Sequence, residues 1–115
     1  MHKPEKLKEL GKKLLLFDVY GGLLTEKQQQ ALALTYNDDY SLGEIAALLH
    51  ISRQAVFDSI RRSEELLQSY EVKLGLIARN RREQQLIERL KLAEQNADWL
   101  EVAAVLQALS QELYD

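Results

Sequence analysis

Apolar residues recur at intervals of three and four along almost the whole chain, and nowhere do they alternate with polar ones over a sustained run. That periodicity predicts helices and no strands. A first helix is expected from about Glu5 to Tyr20, with Leu7, Leu10, Leu14 and Phe17 on one stripe. Gly21-Gly22 is expected to end it through a left-handed cap. Thr25 and Gln28 fit a capping box, which opens a second helix with Ala31, Leu32, Ala33 and Leu34 as its apolar positions. Asn37-Asp38-Asp39 breaks it, because short polar side chains compete for backbone hydrogen bonds. Ser41 and Glu44 form a second box, heading a short helix that ends near Leu49. After a tight turn at His50-Ile51, Ser52 caps a longer helix that runs to about Leu74 or beyond, with Gly75 as its end or a bend.

Arg79-Asn80-Arg81-Arg82 reads as a junction or a basic helix start, either a solvated helix end or a grip on nucleic-acid phosphates. A fifth helix follows with Leu86, Ile87 and Leu90 inward, and Asn96-Ala97-Asp98 breaks it, with Asp98 as the next N-cap. The last helix carries Trp99, Val102, Leu106, Leu109 and Leu113 at steps of three and four, so Trp99 is expected in the core.

The stretch from Ser41 to Val56 has a mechanical reading. Two helices joined by about three residues must cross at a steep angle, and close crossing needs a small residue, here Ala46. Ile45, Leu49, Ile51, Val56 and Ile60 are placed to fill the angle between them. The expected fold is therefore all-α: a helix-turn-helix domain over residues 1–78 with a long recognition helix, and a C-terminal helical extension over residues 79–115. Along the long helix, Ile60, Ser63, Leu67, Tyr70, Leu74 and Ile77 form a seam. It suits packing against the chain's own C-terminal helices or pairing with a second copy in a homodimer.

The Ile45-Ala46 pair, Leu49, the turn and Ser52-Arg53 resemble region 4 of bacterial sigma factors. The resemblance implies that the second helix enters a major groove amino end first. Ser52, Arg53, Gln54, Phe57, Asp58 and Arg61 are the positions it carries over. Ser52 would hold phosphate, Arg53 and Gln54 would reach base edges, and Arg61 and Arg62 would grip the backbone, with Lys27 as a further phosphate contact. Two positions depart from that pattern. His50 stands where glycine is usual, and Asp58 puts an acid on the face that would meet phosphates.

Several spaced blocks, Leu15 to Tyr20, Leu23 to Gln28, Ser52 to Val56 and Glu71 to Leu76, are together similar to the YlxM family of small bacterial proteins. That resemblance implies a sigma-region-4-like helical protein with no catalytic residues. Because the family's genes sit beside those of the signal recognition particle GTPase, it also implies a regulatory or accessory role in that pathway.

Composition removes several classes of chemistry. There is no cysteine, and His2 and His50 are far apart in sequence with no acidic cluster at ligand spacing, so no metal or other cofactor is expected. No catalytic constellation or phosphate-cradling glycine loop appears, so the chain is read as not an enzyme. Apolar runs such as Leu14-Leu15-Leu16-Phe17 are too short to span a bilayer, and the charged Lys3–Lys13 stretch is not a signal peptide; a cytoplasmic protein without membrane insertion is expected. The net charge of −3 is unevenly spread. Residues 53–82 carry seven basic and four acidic groups, whereas residues 83–115 carry two and seven. The basic middle favours DNA or structured RNA as partner. The acidic total and Asp58 favour a rival reading, an interaction module acting on signal recognition particle components.

Overall fold

The computed structural model describes residues 4–114, and the side chains of residues 4–113. His2 and Lys3 lie outside the described residues. Six α-helices are present among these residues, with no strand: α1 (Pro4–Tyr20), α2 (Glu26–Tyr36), α3 (Leu42–Leu49), α4 (Arg53–Leu74), α5 (Leu76–Gln95) and α6 (Trp99–Tyr114). The chain divides into two compact units, Met1–Gly75 and Leu76–Asp115.

In the first unit α4 is the central element, packed against α1, α2 and α3. Its buried side is Val56, Ser63 and Leu67, with Ile60 half-buried between them. Against it stand Tyr20 and Leu24, Ala31 and Leu32 of α2, and Ile45 and Ala46 of α3. The seam on α4 is thus part of the core of its own unit, where α1 to α3 pack on it. Ser63 and Leu67, buried within the unit, are therefore not free for a second copy, whereas Leu74 is exposed. Ser63, buried completely, donates its hydroxyl to the Ser59 carbonyl at 2.6 Å, so the polar atom is satisfied within the helix.

Two tyrosines fasten the unit's edges to α4. The Tyr20 hydroxyl donates to Glu71, and the Tyr36 hydroxyl donates to Glu64, whose carboxylate also meets Lys13 Nζ at 3.4 Å. Burial, and then the neighbouring Glu64 carboxylate, push the Tyr36 hydroxyl well above the ordinary tyrosine range, so it stays a donor. Phe17 meets Tyr36 edge-to-face at 5.8 Å.

Three expectations for α1 and the turns need correction. Residues 4–12 of α1 are exposed on every side, so Leu7 and Leu10 do not pack. Only its last two turns do, through Lys13, Leu16, Phe17 and Tyr20. Gly21-Gly22 does not form a left-handed cap; a 3-10 turn spans Gly21–Leu23, and neither glycine has positive φ. Gly21 is needed for space, since a Cβ there would stand 3.0 Å from the Phe17 ring. Ile51 lies exposed in the turn instead of filling the angle between α3 and α4.

The second unit is a helical hairpin. Asn96-Ala97-Asp98 reverses the chain, with Ala97 at φ 53° and the Asp98 N–H donating to the Ala93 carbonyl at 2.8 Å. Asp98 also caps α6, its Oδ1 accepting from the Glu101 N–H at 3.2 Å. Arg79 to Arg82 lie inside α5, which begins at Leu76 directly after the left-handed Gly75. Ile87 is exposed, whereas Leu86 and Leu90 are half-buried. On α6 the fully buried residue is Val105, flanked by the half-buried Val102 and Leu109. Trp99 is 66 % exposed, so it is not a core residue.

Candidate nucleic-acid interface

Local sequence fixes the break between α3 and α4. Ser41 and Glu44 cap each other's orphan backbone groups, with the Ser41 N–H donating to Glu44 Oε1 at 3.0 Å and the Glu44 N–H donating to Ser41 Oγ at 3.1 Å. The Ser41 amide bond and its hydroxyl hold the Glu44 carboxyl below its ordinary pKa. His50 ends α3 in the left-handed region at φ 57°, ψ 42°. Two residues later Ser52 starts α4, its Oγ accepting from the Ala55 N–H at 3.0 Å. Ile45, Ala46 and Val56 form the contact beneath this turn, with Leu34, Leu49 and Ile60 around them.

This core aims the first three turns of α4 outward. At 100° per residue, Gln54, Phe57, Asp58, Arg61 and Glu65 share an arc of about 100° opposite Val56, Ser63 and Leu67. Phe57 is half exposed at its edge. Gln54 Nε2 donates to Asp58 Oδ1 at 3.1 Å, and Arg61 Nη1 pairs with Glu65 Oε1 at 3.3 Å. Arg62 is exposed at the edge of the arc. Arg53 is exposed too, but its guanidinium folds back over α3: a Cβ on Gly43 would stand 2.9 Å from its Nη2.

The structure therefore gathers Ser52, Arg53, Gln54, Phe57, Asp58, Arg61 and Arg62 along one exposed stretch of α4. Lys27 is exposed on a different element, the first turn of α2. The outward face is mixed in charge and not continuously positive. Sequence reading missed two contributors. Glu65 was legible as the i+4 partner of Arg61. Gly43 was not, because the group it lies against is a side chain ten residues away. Among the described residues no group of His, Asp or Glu could hold a metal, and no helix is long and apolar enough to cross a membrane.

Two helices joined through a left-handed residue and a serine cap, with the second one standing clear of the core at its amino end, define a helix-turn-helix protein. The family model described as "Putative helix-turn-helix protein, YlxM / p13 like" matches residues 7–105, and the chain belongs to this family, UPF0122. It is 49 % identical over 98 residues to the UPF0122 protein of Geobacillus kaustophilus, covering 84 % of this chain and 89 % of that one. Against the UPF0122 protein of Symbiobacterium thermophilum it is 44 % identical over 106 residues, covering 92 % and 99 %. The UPF0122 protein YlxM of Bacillus subtilis is 44 % identical over 95 residues, with 82 % and 86 % covered.

Proposed function

We propose that this chain is a cytoplasmic regulatory protein that binds duplex nucleic acid by laying the amino end of α4 in a major groove, without catalysing a reaction. The observation that carries this reading is the exposed arc of Gln54, Phe57 and Arg61 on a helix whose opposite side is locked in the core. Gln54 suits an adenine edge and Arg53 or Arg61 a guanine edge, while Ser52, Arg62 and Lys27 meet phosphates. Arg61 must leave Glu65 and Gln54 must leave Asp58 to do so. Both pairs are exposed, and such pairs hold by only about 0.3–0.5 kcal/mol, so a ligand displaces them readily.

A titration against DNA and structured RNA at several salt concentrations tests this. With Arg62 and Lys27 at phosphates, Arg53 and Arg61 adding charge in the groove, and Asp58 and Glu65 opposing them, log affinity should fall with log salt at a slope of about −2 to −4. Arg62→Ala should reduce that slope by about one, whatever the sequence bound. An absence of binding at low salt removes the proposal.

A second reading is favoured by the mixed charge of that same face and by the exposed Leu48, Ile51 and Phe57 around the turn. Here the helix-turn-helix is a scaffold for protein contact, and the family resemblance points to signal recognition particle components. Retention by the particle or its receptor supports this reading; retention by DNA alone removes it.

A further inference from the structure

We infer that the outer face of α6 is a self-association surface, joining two copies of this chain through an antiparallel helix pair about a two-fold axis. Trp99, Ala103, Leu106, Ser110 and Leu113 follow one another at steps of four and three, so they form one stripe. The stripe faces away from the side of α6 that carries Val105. It is bare: Trp99 is 66 %, Leu106 53 % and Leu113 64 % exposed, and Leu100 beside them 87 %.

Charge marks the same face. Between Trp99 and Tyr114 the helix has only two charged residues, Glu101 and Glu112. Both are taken up by α5, Glu101 by Arg89 and Glu112 by Arg82. The outer face is therefore uncharged, so a second α6 meets no like charge there and leaves no ion buried without a partner. A face serving only as a solvated surface would carry charge on this side.

Size supports an interface between copies. The bare apolar surface on this one helix is roughly 500 Å², at the upper end of what a monomer leaves exposed. The stripe is also self-complementary when reversed about Leu106. Trp99 then faces the partner's Leu113, Leu106 faces the partner's Leu106, and Ala103 faces the partner's Ser110, where two small side chains let the helices close in. This interface does not depend on nucleic-acid binding and uses none of the α4 residues.

The test is the mass of the full chain in solution across a dilution series, read together with the emission of Trp99, the chain's only tryptophan. The expected result is a dimer with blue-shifted emission that moves to the red as dilution gives monomer. Leu106→Glu places two carboxylates on the axis and should weaken association by at least about a hundredfold. Leu106→Lys should do the same, and an equimolar mixture of the two variants should dimerise again. Circular dichroism must show unchanged helix content in both, and the rescue by mixing excludes simple misfolding. Three outcomes overturn the inference: a monomer at all concentrations, whatever the emission; a dimer indifferent to both variants; and variants that fail to rescue each other.

Discussion

His50 holds φ at 57°, a conformation that costs a residue with a Cβ about 1 kcal/mol relative to glycine. His50→Gly should therefore raise stability by about that amount, read as a few degrees in Tm, with no change in helix content. Glu44 carries a pH signature. Its folded pKa lies below the unfolded one, so the stability it adds is present above the unfolded carboxylate pKa and is lost as pH falls through the folded value. Glu44→Gln should flatten the fall of Tm in the acid range while keeping most of the cap, which thermal melts across that range will show. Tyr36→Phe removes the hydroxyl that ties α2 to Glu64 and should cost about 1–2 kcal/mol in denaturant unfolding. Gly43→Ala has the opposite sign. The added Cβ meets only the far end of the Arg53 side chain, which swings away, so stability should hold or rise by up to about 1 kcal/mol.

The helix starts are encoded locally, and all four of the caps read from sequence, Thr25, Ser41, Ser52 and Asp98, make their expected bonds. Ser52→Ala should cost about 1 kcal/mol, because it removes the side chain that accepts from the Ala55 N–H. Helix faces were harder to read. In α6, apolar residues surround the axis, so two stripes share the same three-four spacing. Spacing alone cannot choose between Val102-Val105-Leu109 inside and Trp99-Leu106-Leu113 outside. On the packed side Glu101 and Glu112 lie beside Val105 and pair with Arg89 and Arg82 of α5. In α1 the stripe was sound as a helix signal, but packing depends on which turns have a neighbour, and residues 4–12 have none within their unit. Gly21-Gly22 shows the same lesson for turns: neither glycine has positive φ, and Gly21 instead lies close against the Phe17 ring.

Across the chain as a unit, the candidate site was legible because a helix-turn-helix concentrates its recognition residues in about ten consecutive positions. Its electrostatics were not, since the net charge of residues 53–82 says nothing of which acids lie beside which bases. Asp58 and Glu65 sit on the same arc as Gln54 and Arg61, and this tempers the positive field a nucleic acid would meet. The expected consequence is binding that is weak for random sequence and sharply salt-sensitive, with discrimination coming from a few base contacts.

Mapping backbone amide shifts during addition of mixed-sequence duplex DNA at low salt addresses the docking surface itself. The largest shifts should fall within residues 52–62 and disappear as salt rises, with residues 76–114 unmoved. Shifts confined to α5 and α6, or none at all with the protein folded, would contradict it.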